Sequence, residues 1–143
     1  MIQIKKITAA QTHPIRLKVL RNGLDLPVVL DGDTHSDSFH LGAFEEKTLI
    51  AVSSYIKTNN ALFNQPQYQL RGMATSNEHT RKGCGKAMLQ FAEDILIEKG
   101  CKSLWFNARE GALLFYKKMG YQIVGEPFEI LEIGIHYQMY KEL

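Results

Sequence analysis

The sequence predicts a mixed α/β domain in which helices cover a central β-sheet. The predicted elements follow the order strand, helix, several strands, helix, strand, helix, strand, strand, which is typical of that class. No repeat, low-complexity tract or linker interrupts the chain, so residues 1–143 are expected to form one domain. A content of 45% hydrophobic and 22% charged residues is that of a globular protein and excludes global disorder.

The first half of the chain is predicted to contain four strands and one helix. A strand over residues 2–7 precedes a helix predicted from Pro14 to Arg21, since proline suits the first turn of a helix. Residues 22–38 are rich in Asn, Gly, Asp, Ser and Thr without any periodicity, and we expect a loop there. Three further strands are predicted over residues 38–44, 48–58 and 67–75.

The second half is predicted to contain two helices and three short strands. Apolar residues at helical spacing predict a helix that begins at Gly83 and ends at Lys99-Gly100, a cation followed by a capping glycine. A second amphipathic helix is predicted over residues 110–119. The short strands are predicted over residues 102–107, 121–124 and 136–141.

Composition and charge argue against several classes of protein. A formal net charge of +2 is too small to suggest a nucleic-acid-binding protein. No apolar run approaches the roughly 18 residues of a membrane span, and the N-terminal residues lack the apolar stretch of a signal peptide. Only two cysteines occur, Cys84 and Cys101, so we expect free thiols in a reducing cytoplasm rather than a disulfide framework.

The most informative segment joins the predicted strand over residues 67–75 to the predicted helix at Gly83. Gly83 and Gly85 flank Cys84 at the start of this helix, where the amides have no intrahelical partners and the macrodipole adds positive charge. Three basic residues lie beside the glycines: Arg81, Lys82 and Lys86. Because glycine lets the backbone approach a ligand closely, the segment is suited to binding a pyrophosphate.

Two common types of phosphate-binding glycine loop do not fit this segment. A Walker loop requires a hydroxyl after its lysine, whereas Ala87 follows Lys86 here. A dinucleotide-binding fold requires three spaced glycines in a first βαβ unit, and this segment lies in mid-chain. A turn that merely begins a helix, with its basic residues in solvent, remains the alternative.

The segment resembles the acetyl-CoA signature of the GNAT N-acetyltransferase superfamily, Gln/Arg-x-x-Gly-x-Gly/Ala. Its small positions fall on Gly83 and Gly85, and its leading position falls on Thr80, which departs from the signature. Most bonds to the pyrophosphate in that family come from backbone amides, so the departure leaves the expected chemistry in place.

A second resemblance lies downstream, in the string NAREGALLFYKKMGY. Ala112, Tyr116 and the pair Gly120-Tyr121 match the family motif Asn-x-x-Ala-x-x-x-Tyr-x-x-x-Gly-Phe/Tyr. Arg109 occupies the motif's asparagine position, and Asn107 lies two residues earlier, as in one subgroup of the family. The ending GEPFEILEIGIHYQMYKEL is similar to that subgroup's ending, so the resemblance covers about the second half of the chain.

The resemblance implies a fold, a reaction and a site. The implied fold is a mixed, mostly antiparallel sheet flanked by helices, with a splayed pair of central strands. The implied reaction is transfer of an acetyl group from acetyl-CoA, as co-substrate and without a metal, to a primary amine of a small molecule or peptide by direct attack. The implied cofactor-binding residues are Met73, Ala74, Thr75, Arg81, Lys82, Gly83, Cys84, Gly85, Lys86, Asn107 and Arg109.

Proton transfer requires a general acid and a general base. Tyr116 is the expected general acid by its match to the motif; the reference pKa of a phenol, about 10, lies above the roughly 8.5 of a thiol. Its helical register also suits a core aromatic residue. His136 is a candidate general base near a glycine-containing bend, and a structural role is its alternative. Further ionisable candidates for the base are Asp31, Asp33, His35, Glu126 and Glu129.

Several alternatives stay open at this point. We interpret Cys84 as core packing rather than a nucleophile, and the loop with His35 and His40 lacks a recognised metal-ligand spacing. An acyl-CoA-binding regulatory module without catalysis would use the same fold, and a nucleotide-binding protein would use the same glycine loop. The expected partners are acetyl-CoA and an unidentified amine, with no nucleic acid and no membrane, in the cytoplasm; a homodimer is left open.

Overall fold

A computed structural model describes residues 1–143 as three α-helices and one seven-stranded sheet in the order β1-β2-β3-β4-β5-β7-β6. The helices are α1 (Ala9–Ile15), α2 (Cys84–Glu98) and α3 (Leu113–Lys118). The strands are β1 (Ile2–Ile7), β2 (Phe39–Glu45), β3 (Thr48–Thr58), β4 (Gln67–Thr75), β5 (Ser103–Arg109), β6 (Gln122–Ile130) and β7 (Gly134–Glu142). None of the helices has both the length and the apolar character that a membrane crossing requires.

The two central strands separate along their length. Every neighbouring pair is antiparallel except β4 and β5, which are parallel and pair only where Gln67–Gln69 faces Ser103–Trp105. From Leu70 onward, the edge of β4 that faces β5 has no partner strand. The mostly antiparallel sheet with a splayed central pair is therefore confirmed.

A β-bulge marks β4 just beyond the point of separation. Val52 of β3 faces Ala74, whereas Ser54 faces Arg71, so β4 carries an extra residue between these pairs. Gly72 lies in this bulge with φ +62°, and a Cβ there would come within 3.1 Å of Arg16 Nε. A bulge bends its strand and interrupts the ladder, and this one lies in the part of β4 that no longer pairs with β5.

The core lies mainly between α2 and the sheet. The buried residues of α2 recur at helical spacing and form one apolar stripe: Cys84, Met88, Leu89, Ala92 and Leu96. This stripe packs on fully buried strand residues that include Leu41, Tyr55 and Leu104. The anchoring of α2 on the sheet fixes the position of the loop that precedes it.

The first helix begins earlier than the sequence pattern indicated, so the predicted start at Pro14 is wrong. It begins at Ala9, because Thr8 and Gln11 form a capping box: Thr8 Oγ1 accepts from the Gln11 amide at 3.2 Å and Gln11 Oε1 accepts from the Thr8 amide at 2.8 Å. Pro14 lies inside the helix, which continues as a π-helical turn over Arg16–Arg21. Residues 22–38 contain no helix or strand, as predicted.

The elements near the C-terminus are longer or more divided than predicted. β6 extends to Ile130 because, as an edge strand, it accommodates Pro127 beside an irregularity between Val124 and Phe128. The helix expected over residues 110–119 is divided into a 3₁₀ turn, Glu110–Ala112, followed by α3. The β6–β7 hairpin thereby reaches the opening between β4 and β5.

Candidate functional site

A cavity of about 360 Å³ occupies the gap between the separating strands β4 and β5. Its other sides are closed by four segments: the π-helical turn, the loop over residues 22–38, the Glu110–Lys118 segment and the β6–β7 hairpin. The predicted site residues that line it are Met73, Asn107, Arg109, Tyr116 and His136. Parts of the chain that are remote in sequence are therefore brought together here.

The glycine loop presents a set of free backbone amides. The amides of residues 81–86 donate no hydrogen bond to any other residue, although they lie beside the first turn of α2. Arg81 and Gly83 adopt left-handed backbone conformations, with φ +68° and +77°. Consecutive free amides in such a turn, together with a helix N-terminus, provide donors for an anion.

The loop adjoins the cavity through Met73. A Cβ on Gly85 would lie 3.3 Å from Phe115 Cζ and 3.8 Å from Met73 Sδ. Met73 lines the cavity, and Phe115 packs edge-on against Tyr116 with a centroid distance of 5.0 Å. The free amides and the cavity therefore belong to one continuous region of the surface.

The basic residues of the loop differ in their surroundings. Lys82 Nζ donates to both carboxylate oxygens of Glu45, at 2.8 and 2.7 Å. This hydrogen bond lowers the pKa of the Glu45 carboxyl, and the pair leaves the Lys82 charge largely compensated. Arg81 and Lys86 are exposed and have no acidic partner within 4.0 Å. Of the three predicted cations, Arg81 and Lys86 keep their charges uncompensated.

Ala74 and Thr75 contribute backbone rather than side chains. Ala74 is buried against β3, where it faces Val52, and Thr75 faces Ala51. Neither residue lines the cavity. Their strand nevertheless has a free edge toward the gap, so any bond they offer to a ligand there comes from the main chain.

Tyr116 is buried with a hydroxyl that has no partner in the chain. Its ring packs on Phe106 at a centroid distance of 4.3 Å, and the residue is 7% exposed. Burial raises the pKa of Tyr116 to about 12, so the phenol is protonated throughout the neutral range. The buried Tyr121 differs, because its hydroxyl donates to Glu93 at 2.6 Å. Tyr116 alone of this pair lines the cavity.

His136 also lines the cavity, and a hydrogen bond holds its ring in one orientation. Its Nδ1 lies 2.8 Å from the carbonyl oxygen of Gly134, which only accepts hydrogen bonds, so Nδ1 carries the proton. With the Nδ1 proton held by this bond, Nε2 is the ring nitrogen left to accept a proton, and no hydrogen bond to it occurs within the chain. His136 faces Arg109 across the β5–β7 pair.

Cys84 lies in the core rather than at the cavity. It is 3% exposed, and burial raises the pKa of its thiol, as expected for a packing residue and not for a nucleophile. The other ionisable candidates for the base do not line the cavity: Asp31, Asp33, His35, Glu126 and Glu129. No three His, Cys, Asp or Glu side chains come together as a group that could hold a metal ion.

A buried polar network holds the loop over residues 22–38 beside the cavity. Arg16 donates to both carboxylate oxygens of Asp33 at 2.6 and 2.9 Å and to Ser54 Oγ at 2.7 Å. His40 donates from Nε2 to the Asp33 carbonyl at 2.9 Å and bonds Ser54 through Nδ1 at 2.7 Å. The same carboxylate accepts from the amide of Leu30, a cavity-lining residue.

Sequence patterns alone did not identify this network, nor the cavity positions of Arg21 and Arg71. Burial opposes ionisation of Asp33, but the hydrogen bonds and charge of Arg16 outweigh it, so the pKa of Asp33 is lowered. Arg16 lies 17 residues before Asp33 and 38 residues before Ser54, and no motif connects these residues.

Comparison with known proteins decides the family. The sequence model of the Acetyltransferase (GNAT) family matches residues 11–121. The chain belongs to this family. This GNAT protein is 36% identical over 145 residues to the uncharacterized N-acetyltransferase YitI of Bacillus subtilis (strain 168), covering 100% of the chain and 97% of the relative. It is an acyltransferase, as these relatives and the fold support.

Solved structures share the fold of this GNAT protein at low sequence identity. ElaA of Escherichia coli superposes with a TM-score of 0.81 at 18% identity, covering 99% of this chain and 100% of that one. An aminoglycoside 6'-N-acetyltransferase complexed with coenzyme A has a TM-score of 0.74 at 12% identity, covering 98% and 96%. Coenzyme A is therefore bound by a protein of the same fold, and CoA-dependent acyl transfer is the family's chemistry.

Proposed function

We propose that the protein is an acetyl-CoA-dependent N-acetyltransferase that acts on a primary amine of a small molecule or peptide. The observation that carries this proposal is the continuity between the free amides of residues 81–86 and the cavity lined by Tyr116 and His136. A cavity of about 360 Å³ suits a small acceptor or one side chain of a peptide.

The acetyl-CoA site follows the free backbone groups. The amides of residues 81–86 bind the pyrophosphate, with Arg81 and Lys86 adding uncompensated positive charge. The free edge of β4 over Met73–Thr75 bonds the pantetheine arm through the main chain. Asn107 and Arg109, which line the cavity on β5, contact the arm from the opposite strand. Cys84 contributes its amide, since its thiol is buried.

The reaction is direct attack by the amine on the thioester carbonyl carbon, with cleavage of the carbon–sulfur bond. His136 accepts the proton that the amine loses, because its Nε2 lone pair is free while Nδ1 is held by Gly134. Tyr116 donates to the departing sulfur, since its hydroxyl has no competing partner in the chain. Holding both groups in one cavity supplies the orientation that the reaction needs.

The pKa of Tyr116 limits how it acts. Transfer from a phenol with a pKa of about 12 to an ordinary thiolate, with a reference pKa of about 8.5, is unfavourable by about 3.5 units. The same apolar surroundings raise the pKa of a thiol, which narrows the difference. Tyr116 therefore acts by a hydrogen bond that strengthens as charge develops on the sulfur, with proton transfer completed late.

Location and assembly are separate parts of the proposal. We propose a cytoplasmic location, because both cysteines are free and buried, as in proteins of reducing compartments. A homodimer stays a prediction, which light scattering of the purified protein over a range of concentrations tests.

The activity is tested by thiol release from acetyl-CoA with a panel of primary amines, with the acetylated product identified by mass spectrometry. We expect release of free CoA that depends on the amine and equals the N-acetylated product in amount. An enzyme that binds acetyl-CoA but acetylates none of the amines, peptides included, contradicts the proposed acceptor class.

The role of Tyr116 is tested with a matched tyrosine. Tyr116→Phe is expected to lower kcat by about 10²-fold, the lower end of the range for a positioned proton donor, with little change in stability because the hydroxyl makes no bond in the chain. Tyr121→Phe removes a 2.6 Å bond to Glu93 and is expected to lower the melting temperature while kcat is kept. Equal kcat in both variants would remove Tyr116 from the mechanism.

A further inference from the structure

Three arginines from different elements line the cavity together. Arg21 ends the π-helical turn, Arg71 lies in β4 and Arg109 ends β5. No aspartate or glutamate lines the cavity. Burial lowers the pKa of Arg21, and the charges of Arg71 and Arg109 lower it further, so these guanidinium groups are close enough to act on one another.

These arginines have no acidic partners. Arg71 and Arg109 make no side-chain hydrogen bond or ion pair, and Arg21 donates only through Nε, to the Pro27 carbonyl at 2.9 Å. Arg16, the remaining cation near Arg21, is already paired with Asp33. Placing several guanidinium groups close together without counterions is electrostatically unfavourable, because like charges repel. A bound anion offsets this repulsion.

The phosphates of acetyl-CoA are not the natural partners of Arg21 and Arg71. The proposed pyrophosphate site, residues 81–86, lies beyond the C-terminal end of β4. Arg71 lies four residues before that end, at most about 13 Å along the strand, since the bulge at Gly72 shortens this distance. Arg71 follows the last parallel pair, Gln69 with Trp105, by only two residues and so lies at the inner end of the gap. Arg21 borders the cavity on the side of the 22–38 loop.

We propose that Arg21 and Arg71 select an acceptor amine that carries an anionic group, a carboxylate or a phosphate, close to its amine. Arg109 adds to the same positive field. The apolar walls formed by Leu20, Leu30, Ile130 and Ile133 receive the uncharged part of the acceptor. This inference rests on the proposed N-acetyltransferase function and names the substrate class of that site. Guanidinium groups suit it because they bind both anions through paired hydrogen bonds.

The test compares pairs of amines that differ in the anionic group, at saturating acetyl-CoA. Phenylalanine against phenethylamine isolates a carboxylate, and O-phosphoethanolamine against ethanolamine isolates a phosphate; spermidine serves as a cationic amine. We expect the anionic member of at least one pair to have a kcat/KM at least tenfold higher, equivalent to about 1.4 kcal/mol. The pair that shows this preference distinguishes the two anions. Equal use of all members, or preference for spermidine, overturns the inference.

Variants of the arginines assign the preference to residues. Arg21→Gln and Arg71→Gln are expected to raise KM for the anionic amine about tenfold while leaving KM for its neutral analogue and for acetyl-CoA unchanged. Lys102 is an exposed cation just before β5, at the end where β4 and β5 pair, so Lys102→Gln is the control. This variant is expected to leave KM unchanged for the anionic amine, for its neutral analogue and for acetyl-CoA. A preference that survives both arginine variants, or a rise confined to KM for acetyl-CoA, overturns the inference.

Direct binding keeps the inference testable without turnover. Calorimetry with CoA present compares N-acetylphenylalanine with N-acetylphenethylamine and N-acetyl-O-phosphoethanolamine with N-acetylethanolamine. The anionic member of at least one pair is expected to bind at least tenfold more tightly, and Arg71→Gln is expected to remove the difference. If the anionic compound binds more tightly but no amine is acetylated, the proposed reaction is contradicted and the anion site is supported. If amines are acetylated but the anionic and neutral compounds bind equally, the anion site is contradicted and the proposed reaction is supported.

Discussion

Replacement of Gly83 by alanine separates a ligand-binding loop from a turn that merely begins a helix. Gly83 has φ +77°, and a Cβ added there would meet no atom within 4 Å. The added methyl group therefore clashes with nothing in the chain, but it occupies space beside the free amides of residues 81–86. We expect Gly83→Ala to raise the Kd for CoA at least tenfold, or about 1.4 kcal/mol.

Gly100 provides a matched control at the other end of the same helix. It has φ +80°, and a Cβ there would also meet nothing within 4 Å. The helix α2 and its C-cap Lys99 separate the two glycines, which places Gly100 about 25 Å from Gly83. A left-handed conformation costs a residue with a Cβ about 1–2 kcal/mol, so both variants are expected to lose similar stability.

The assay is calorimetric titration with CoA, alongside thermal unfolding of each variant. Gly83→Ala and Gly100→Ala are expected to show melting temperatures lowered by a similar few degrees, with weakened CoA binding only in Gly83→Ala. Unchanged CoA affinity in folded Gly83→Ala would refute the phosphate-binding role of the loop. Equal weakening in both variants would trace the effect to stability instead.

Three further predictions concern charge and protonation. Glu45→Gln frees the ammonium of Lys82 and is expected to tighten CoA binding about two- to threefold at low salt, an effect that titrations at higher salt should diminish. Asp33→Asn leaves the buried Arg16 without its counterion and is expected to cost about 3–5 kcal/mol in urea unfolding. The pKa of Asp33 is lowered in the folded protein, so its carboxylate contributes fully to the free energy of unfolding above about pH 4. This contribution is lost as the pH falls through the folded pKa. If the difference in unfolding free energy between wild type and Asp33→Asn stayed constant over this pH range, the ion pair of Arg16 with Asp33 would not be its source. Since burial raises the pKa of Tyr116 to about 12, kcat is expected not to fall between pH 7 and 10, and a descending limb from this residue in a pH profile would contradict its assignment.

Elements with a regular pattern of apolar residues were predictable from the sequence. The apolar periodicity of α2 and the alternation of β4 give those elements nearly their observed bounds, since each pattern reports burial on one side. The start of α1 was missed because Pro14 is a conspicuous signal, whereas the Thr8–Gln11 capping box that begins the helix is a weaker one.

The site was predictable only where a local motif carries it. The glycine loop and Tyr116 belong to contiguous strings, so their spacing identifies them. The gathering of Arg21 and Arg71 depends on the separation of β4 from β5, which is a property of the sheet topology. The pairing of Arg16 with Asp33 likewise joins the π-helical turn to the loop over residues 22–38, which only the folded chain brings together.

The most direct test of the proposed acetyl-transfer site is a crystal structure of the protein in complex with CoA. We expect the pyrophosphate to accept hydrogen bonds from the amides of residues 81–86, and the sulfur to lie within hydrogen-bond reach of the Tyr116 hydroxyl in the gap between β4 and β5. A CoA molecule bound outside this gap, or a sulfur separated from Tyr116 by the width of the cavity, would contradict the proposed site.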